Sequence, residues 1–167
     1  MKILDNVLDQ NVFNKLQDFM MGSDFAWYYN DVIDYQTDLD KFQFTHIFYK
    51  NFAPHSTSID QLNPIIKKIN PISLYRIKTN LLTKTPNIIE NTFHSDFIPL
   101  LSEEKSKQWT TSIFYVNTNN GYTEFEDGTK VESIANRVIT FPANMKHRGT
   151  SCTDEKTRVV INFNYFK

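Results

Sequence analysis

The side chains best suited to chemistry concentrate in Asn91-Thr92-Phe93-His94-Ser95-Asp96-Phe97, where an imidazole and a carboxylate stand two residues apart. In an extended segment the side chains at i and i+2 leave the same face. His94 and Asp96 can therefore converge on one ion while Ser95 points away. A neutral imidazole paired with a carboxylate suits a first-row divalent metal, ferrous iron among them. A third ligand is required, and His147 offers it in Phe141-Pro142-Ala143-Asn144-Met145-Lys146-His147-Arg148-Gly149. Two histidines and one carboxylate on one side of a metal leave the opposite positions open for small molecules. Arg158 follows in the alternating run Thr157-Arg158-Val159-Val160-Ile161-Asn162-Phe163. Arg158, Val160 and Asn162 share a face there. A guanidinium among apolar neighbours is costly unless it meets an anion, and its fork matches a carboxylate.

The elements that must hold these groups change character along the chain. Asp9 to Met21 reads as a helix, with Asp9 as its cap and Val12, Phe13, Leu16, Phe19 and Met20 at helical spacing. Phe25-Ala26-Trp27-Tyr28-Tyr29 is an aromatic cluster suited to core or rim, and Phe42 to Tyr49 reads as a strand. His46 and His55 have no patterned partner and are expected to be structural or exposed. Ser58 to Asn70 predicts a second helix with Leu62, Ile65, Ile66 and Ile69 inward, ended by Pro71. From there on, segments 72–83, 90–96, 110–117, 122–126, 130–134, 137–141, 147–151 and 157–165 are short, β-rich and separated by turn signals. The pattern predicts one α+β, mainly β domain over 1–167. Residues 1–71 form a helical and aromatic part, and 72–167 a jelly-roll core of about eight strands.

Composition narrows the function classes. A hydrophobic fraction of 40% with 14 Phe and 8 Tyr fits a globular, β-rich chain. The formal charge of -1 argues against an electrostatically driven nucleic-acid or membrane binder. Cys152 is the one cysteine, which excludes an intrachain disulfide and a cysteine-based zinc site and is in keeping with a reduced cytoplasm. Neither a cleavable leader nor a transmembrane helix is expected. The stretch from Phe97 to Trp109 follows the His-x-Asp pair directly and is long for a connection. It is expected to border the substrate entrance, with Phe97 and Trp109 as contact candidates.

The order His94-Ser95-Asp96, then His147 about fifty residues on, then Arg158 eleven residues beyond, resembles the iron(II)/2-oxoglutarate-dependent dioxygenases. Ile113-Phe114-Tyr115-Val116-Asn117 is similar to the Tyr-Tyr-Leu-Asn strand of their prolyl-hydroxylase branch. Gly121-Tyr122-Thr123-Glu124-Phe125 resembles that branch's Gly-Gly-x-Thr-x-Phe segment, with Tyr122 in place of the second glycine. The likeness covers roughly residues 72–167. It implies a double-stranded β-helix with the N-terminal helices packed on one sheet. It further implies Fe(II) held by His94, Asp96 and His147, with 2-oxoglutarate and O2 as co-reactants, and Arg158 and Tyr115 on the distal carboxylate of 2-oxoglutarate. Leu82 stands about where the branch has a tyrosine near the chelating end of 2-oxoglutarate, so Asn80 or Asn162 is expected to supply that contact. The implied reaction hydroxylates a peptide or small-molecule substrate, a peptidyl proline being the leading candidate, and releases succinate and CO2. Two other readings stay open at this point: a cupin-like metalloenzyme that does not use 2-oxoglutarate, and a jelly-roll binding protein without catalysis. Oligomeric state is not legible.

Overall fold

Helix α1 (Gln10–Met21) begins where the sequence supplies a cap: the Asp9 carboxylate accepts from the Asn11 amide at 3.0 Å. Phe13, Leu16 and Met20 are buried, whereas Val12 faces outward, so the apolar stripe is narrower than the spacing predicts. The structure, a computed structural model, describes residues 1–33, 41–96 and 108–167. The expected helix from Ser58 to Asn70 is split into a 3-10 turn (Ile59–Leu62) and helix α2 (Asn63–Ile69). Pro64 is the cause. It has no amide hydrogen to give to Asp60, and the Asn63 amide takes that carbonyl at the tighter spacing instead. Asn70, left-handed at φ 49°, closes α2.

The strands are β1 (Lys2–Leu4), β2 (Tyr28–Asn30), β3 (Gln43–Lys50), β4 (Ala53–Pro54), β5 (Ser73–Thr83), β6 (Trp109–Tyr115), β7 (Tyr122–Phe125), β8 (Lys130–Glu132), β9 (Arg137–Pro142), β10 (His147–Gly149) and β11 (Thr157–Phe166). Among the described residues eight of them form one antiparallel sheet in the order β1-β9-β6-β11-β5-β3-β2, with β4 added beside β3. A second sheet runs β10-β7-β8. The expected strand over 90–96 is not a ladder. Its backbone pairs with β10 and its continuation through two single bridges, Glu90 with Thr150 and His94 with His147.

Alternation on the central strand β11 decides what lies where. Val159, Ile161 and Phe163 join Phe48, Ile77 and Phe114 against Phe13, Leu16, Met20, Leu62 and Ile65, so both helices pack on one face of the large sheet. Gln17 pins α1 there by donating from Nε2 to the Val116 carbonyl at 2.6 Å. On the other face Ile113, Tyr115 and Val160 meet Phe125, Val131, Ile139 and Phe141, which fill one part of the space between the sheets. The rest of that space is a cavity. No helix among the described residues is long and apolar enough to cross a membrane.

Candidate metal centre and anion pocket

His94 and His147 form a directly hydrogen-bonded antiparallel pair: the His94 amide donates to the His147 carbonyl at 3.0 Å and the His147 amide returns the bond at 2.8 Å. Opposed residues of such a pair project their side chains to one side, and the two rings lie 4.7 Å apart. The Nδ1 of His94 faces the Thr92 carbonyl at 3.3 Å and that of His147 the Met145 carbonyl at 3.1 Å. A carbonyl only accepts, so the proton of each neutral ring sits on Nδ1 and Nε2 keeps its lone pair for a metal. Asp96 completes the set, the three ligand atoms lying within 4.8 Å of one another.

The carboxylate closes a ring of four side chains with Arg76, Asn164 and Thr111. Arg76 Nη2 donates to Asp96 Oδ1 at 3.0 Å and Arg76 Nε donates to Asn164 Oδ1 at 2.8 Å. Asn164 Nδ2 donates to Thr111 Oγ1 at 3.0 Å, and the Thr111 hydroxyl donates back to Asp96 Oδ2 at 2.9 Å. Oδ2 is also the oxygen on the His147 side, 3.9 Å from Nε2. Burial alone would raise the Asp96 carboxyl, but His147, Arg76, His94 and the Thr111 hydroxyl outweigh it and hold it below the usual carboxylate range. Partners of this kind orient a ligand, and their loss typically costs about 10–100-fold in metal affinity. Arg76→Gln is expected to lose that much, read by titrating the protein with Mn(II). An unchanged affinity would show that the ring is incidental to the metal.

Arg158 lies deeper in the same cavity of about 460 Å³, which the three ligands also line. The residue is 3% exposed, its guanidinium donating from Nε to Ser133 Oγ at 2.8 Å and from Nη2 to Thr123 Oγ1 at 3.2 Å. No carboxylate among the described residues pairs with it. Burial pulls the group below its usual range, against the opposing effect of Tyr115, yet a guanidinium stays protonated under protein conditions. The Tyr115 hydroxyl, pushed up by burial and so neutral, donates to the same Thr123 Oγ1 at 2.8 Å. Thr123 therefore accepts from two donors and keeps its own proton to give to a ligand. Gly121 leaves room for this arrangement: a Cβ there would stand 2.7 Å from both Arg158 Cδ and the Ser151 carbonyl. Gly121→Ala must displace Arg158 or the backbone. It is expected to weaken an anion held there roughly tenfold, about 1.4 kcal/mol, with metal binding retained. Isothermal titration with 2-oxoglutarate checks this, and equal affinities would mean that Arg158 yields freely.

The structure brings together most of the groups singled out in the sequence, and adds others. His94, Asp96, His147, Arg158, Asn80 and Asn162 all line the cavity. Tyr115 reaches it through Thr123. Thr123, Thr111, Arg76 and Asn164 were not singled out, although Thr111 follows from alternation with Ile113 and Tyr115, and Asn164 from alternation with Arg158 and Asn162. Phe97 and the rest of 97–107 lie outside the described residues. Trp109 is not a loop residue: it opens β6 and is buried between Tyr75 and Phe166, with ring centroids at 4.9 and 4.7 Å. It backs the cavity wall through Tyr75.

The fold is a double-stranded β-helix carrying a His-Asp-His ligand set and a buried cation. No protein-family model and no curated protein matches the chain. Solved structures do. A prolyl hydroxylase from Trichoplax adhaerens, in complex with a hypoxia inducible factor oxygen degradation domain peptide fragment, superposes with a TM-score of 0.69 at 10% identity, over 99% of this chain and 82% of that one. A viral collagen prolyl hydroxylase from Paramecium Bursaria Chlorella virus-1, as its 2OG complex, gives 0.62 at 13% identity over 99% and 95%. The α-ketoglutarate-dependent epimerase SnoN from nogalamycin biosynthesis gives 0.64 at 10% identity over 99% and 76%. At such identities the likeness is one of fold. It spans the N-terminal helices as well as the segment from residue 72 on that carries the motifs.

Proposed function

We propose that this chain is an Fe(II)/2-oxoglutarate-dependent oxygenase that hydroxylates an organic substrate. The observation that carries the reading is Arg158, a buried guanidinium without a carboxylate partner among the described residues, in one cavity with His94, Asp96 and His147. A metalloenzyme of this fold that used no 2-oxoglutarate would keep a desolvated cation with nothing to offset it.

The residues present fit both groups. His94 Nε2, His147 Nε2 and Asp96 would hold the iron, while Arg158 and the Thr123 hydroxyl would take the distal carboxylate of 2-oxoglutarate, with Tyr115 fixing Thr123. Asn80 Oδ1 and Asn162 Oδ1 are buried without a hydrogen-bond partner. An amide whose oxygen has no partner can turn its Nδ2 toward a carboxylate, so these two side chains suit the chelating end, where Leu82 supplies no polar atom. Bound iron and 2-oxoglutarate supply the activation of O2: one oxygen atom enters succinate as CO2 is lost, and the other enters a C–H bond of the substrate. The protein's part is to bind, orient and keep water out. A peptidyl proline is one candidate substrate, in line with the peptide held by the Trichoplax adhaerens enzyme. The deciding assay follows succinate from 2-oxoglutarate in the presence of Fe(II) and O2. Absence of succinate above the protein-free rate would overturn the proposal.

A further inference from the structure

His94 and Asp96 sit on a segment with little backbone support. Among the described residues it is joined to β10 and the chain beyond by the mutual His94–His147 bonds and by the Asn91 amide on the Gly149 carbonyl at 3.1 Å. Just ahead of it the Ser151 amide donates to the Ile89 carbonyl at 3.0 Å. At the far end Arg76 and Thr111 tie Asp96. A segment held by so few bonds opens at low free-energy cost. A metal that needs His94, Asp96 and His147 together binds only while that segment is seated, so its apparent affinity scales with the seated fraction.

The outward face of the small sheet supplies what the backbone does not. Arg148 follows His147 on β10 and stands on the opposite face, across from Glu124 on β7. Its Nε donates to Glu124 Oε2 at 2.8 Å, and its Nη2 lies 2.6 Å from the same oxygen and 2.5 Å from Glu90 Oε2. The guanidinium also lies 4.4 Å over the ring of Phe93, the residue before His94. Tyr122 stands where the Gly-Gly-x-Thr-x-Phe segment has its second glycine, and its hydroxyl donates to Glu90 Oε1 at 2.7 Å. That bond, ahead of the charges of Arg148 and Lys130, outweighs desolvation and holds Glu90 below the usual carboxylate range. Lys130 Nζ in turn donates to the Tyr122 hydroxyl at 3.1 Å and pairs with Glu124 at 3.6 Å. Glu90 and Phe93 are thus both gripped by side chains of the small sheet, one at the start of the segment and one beside the first ligand.

We infer that Arg148 and Tyr122 are positioning residues for the metal: with Glu90, Glu124 and Phe93 they form a clasp that seats the segment carrying His94 and Asp96 against β10. This rests on the metal centre of the oxygenase reading above. The clasp differs in sign from a simple charge effect. Losing a guanidinium next to His147 removes repulsion from a divalent cation, and by Coulomb's law alone it would tighten binding. Losing the clasp loosens it. Tyr122→Phe changes no charge at all, and it breaks the grip on Glu90 from the other side.

The test titrates Mn(II) into wild-type, Arg148→Gln and Tyr122→Phe apoprotein, following the spin resonance of the free ion, and reads hydrogen exchange at the Asn91 and His94 amides. Arg148→Gln should weaken Mn(II) about tenfold, and Tyr122→Phe about threefold. Both amides should exchange faster in the variants, with protection along β11 unchanged. Tighter binding in Arg148→Gln, or wild-type affinity in Tyr122→Phe, overturns the inference. Faster exchange along β11 as well would mark a loss of the fold, and it too overturns the positioning role. If the wild type itself fails to bind Mn(II), it is the metal centre that falls, and the oxygenase reading with it.

Discussion

His94→Ala and Asp96→Ala are each expected to abolish binding of Fe(II) or Mn(II) at micromolar metal. Ferrous iron exchanges its ligands readily, and two protein atoms give it too few bonds to offset the loss of its water shell. The two substitutions fail for different reasons, which makes the pair informative. His94→Ala removes a neutral ligand from a partly exposed position and leaves its backbone bridge to His147 intact. Asp96→Ala removes the charge that answers Arg76, and it opens the ring through Asn164 and Thr111. The metal-free Asp96 variant should therefore melt below the wild type, whereas the metal-free His94 variant should not. Anaerobic calorimetry with Mn(II), beside a thermal melt of each apoprotein, separates loss of the site from loss of the fold. Wild-type affinity in both variants would remove the metal centre from the account.

What could be read in the sequence, and what could not, divides along a physical line. The Asp9 cap, the apolar face of α1 and the alternation of β11 are local signals, and they place their elements within a residue or two. The edge strand β1 was invisible because Lys2, Ile3 and Leu4 are all exposed and owe their strand to pairing with β9. Edge pairing is decided by the partner rather than by propensity. The segment from Glu90 to Asp96 was read as a strand from its β-rich character and the turn signals around it, and a strand would make His94 and Asp96 converge. They do converge, but two bridges, one of them the His94–His147 pair, achieve it without a ladder. The ring around Asp96 was beyond reach for another reason. Arg76, Thr111 and Asn164 belong to three strands, and they meet because Asn164 pairs with Arg76 on one side and with Thr111 on the other. One residue of slip would turn every one of those side chains to the helical face, and no single-strand pattern encodes that register.

Arg158→Ala is expected to weaken 2-oxoglutarate binding by on the order of 10²-fold, the cost of a charge-assisted pair in a shielded pocket. Metal affinity should hardly change, because Arg158 bonds to Ser133 and Thr123 and to none of the three ligands. Stability provides a second and independent readout. At a 2-oxoglutarate concentration of about 100 times its dissociation constant the wild type gains about 2.7 kcal/mol, and a 10²-fold weaker variant at the same concentration gains about 0.4 kcal/mol. The ligand-induced rise in melting temperature should thus nearly vanish. Arg158→Lys should restore only part of it: an ammonium keeps the charge, but a single nitrogen cannot serve Ser133, Thr123 and a carboxylate in the fork geometry of a guanidinium. Thr123→Val gives the remaining comparison, since it removes the hydroxyl that both Arg158 and Tyr115 address. Losing one hydrogen bond to a charged group, it should cost about 1.5–3 kcal/mol in 2-oxoglutarate binding. If Arg158→Ala binds 2-oxoglutarate as tightly as the wild type, the distal carboxylate lies elsewhere. The buried guanidinium would then be a structural cation held by Ser133 and Thr123, and the strongest argument for 2-oxoglutarate in this fold would be gone.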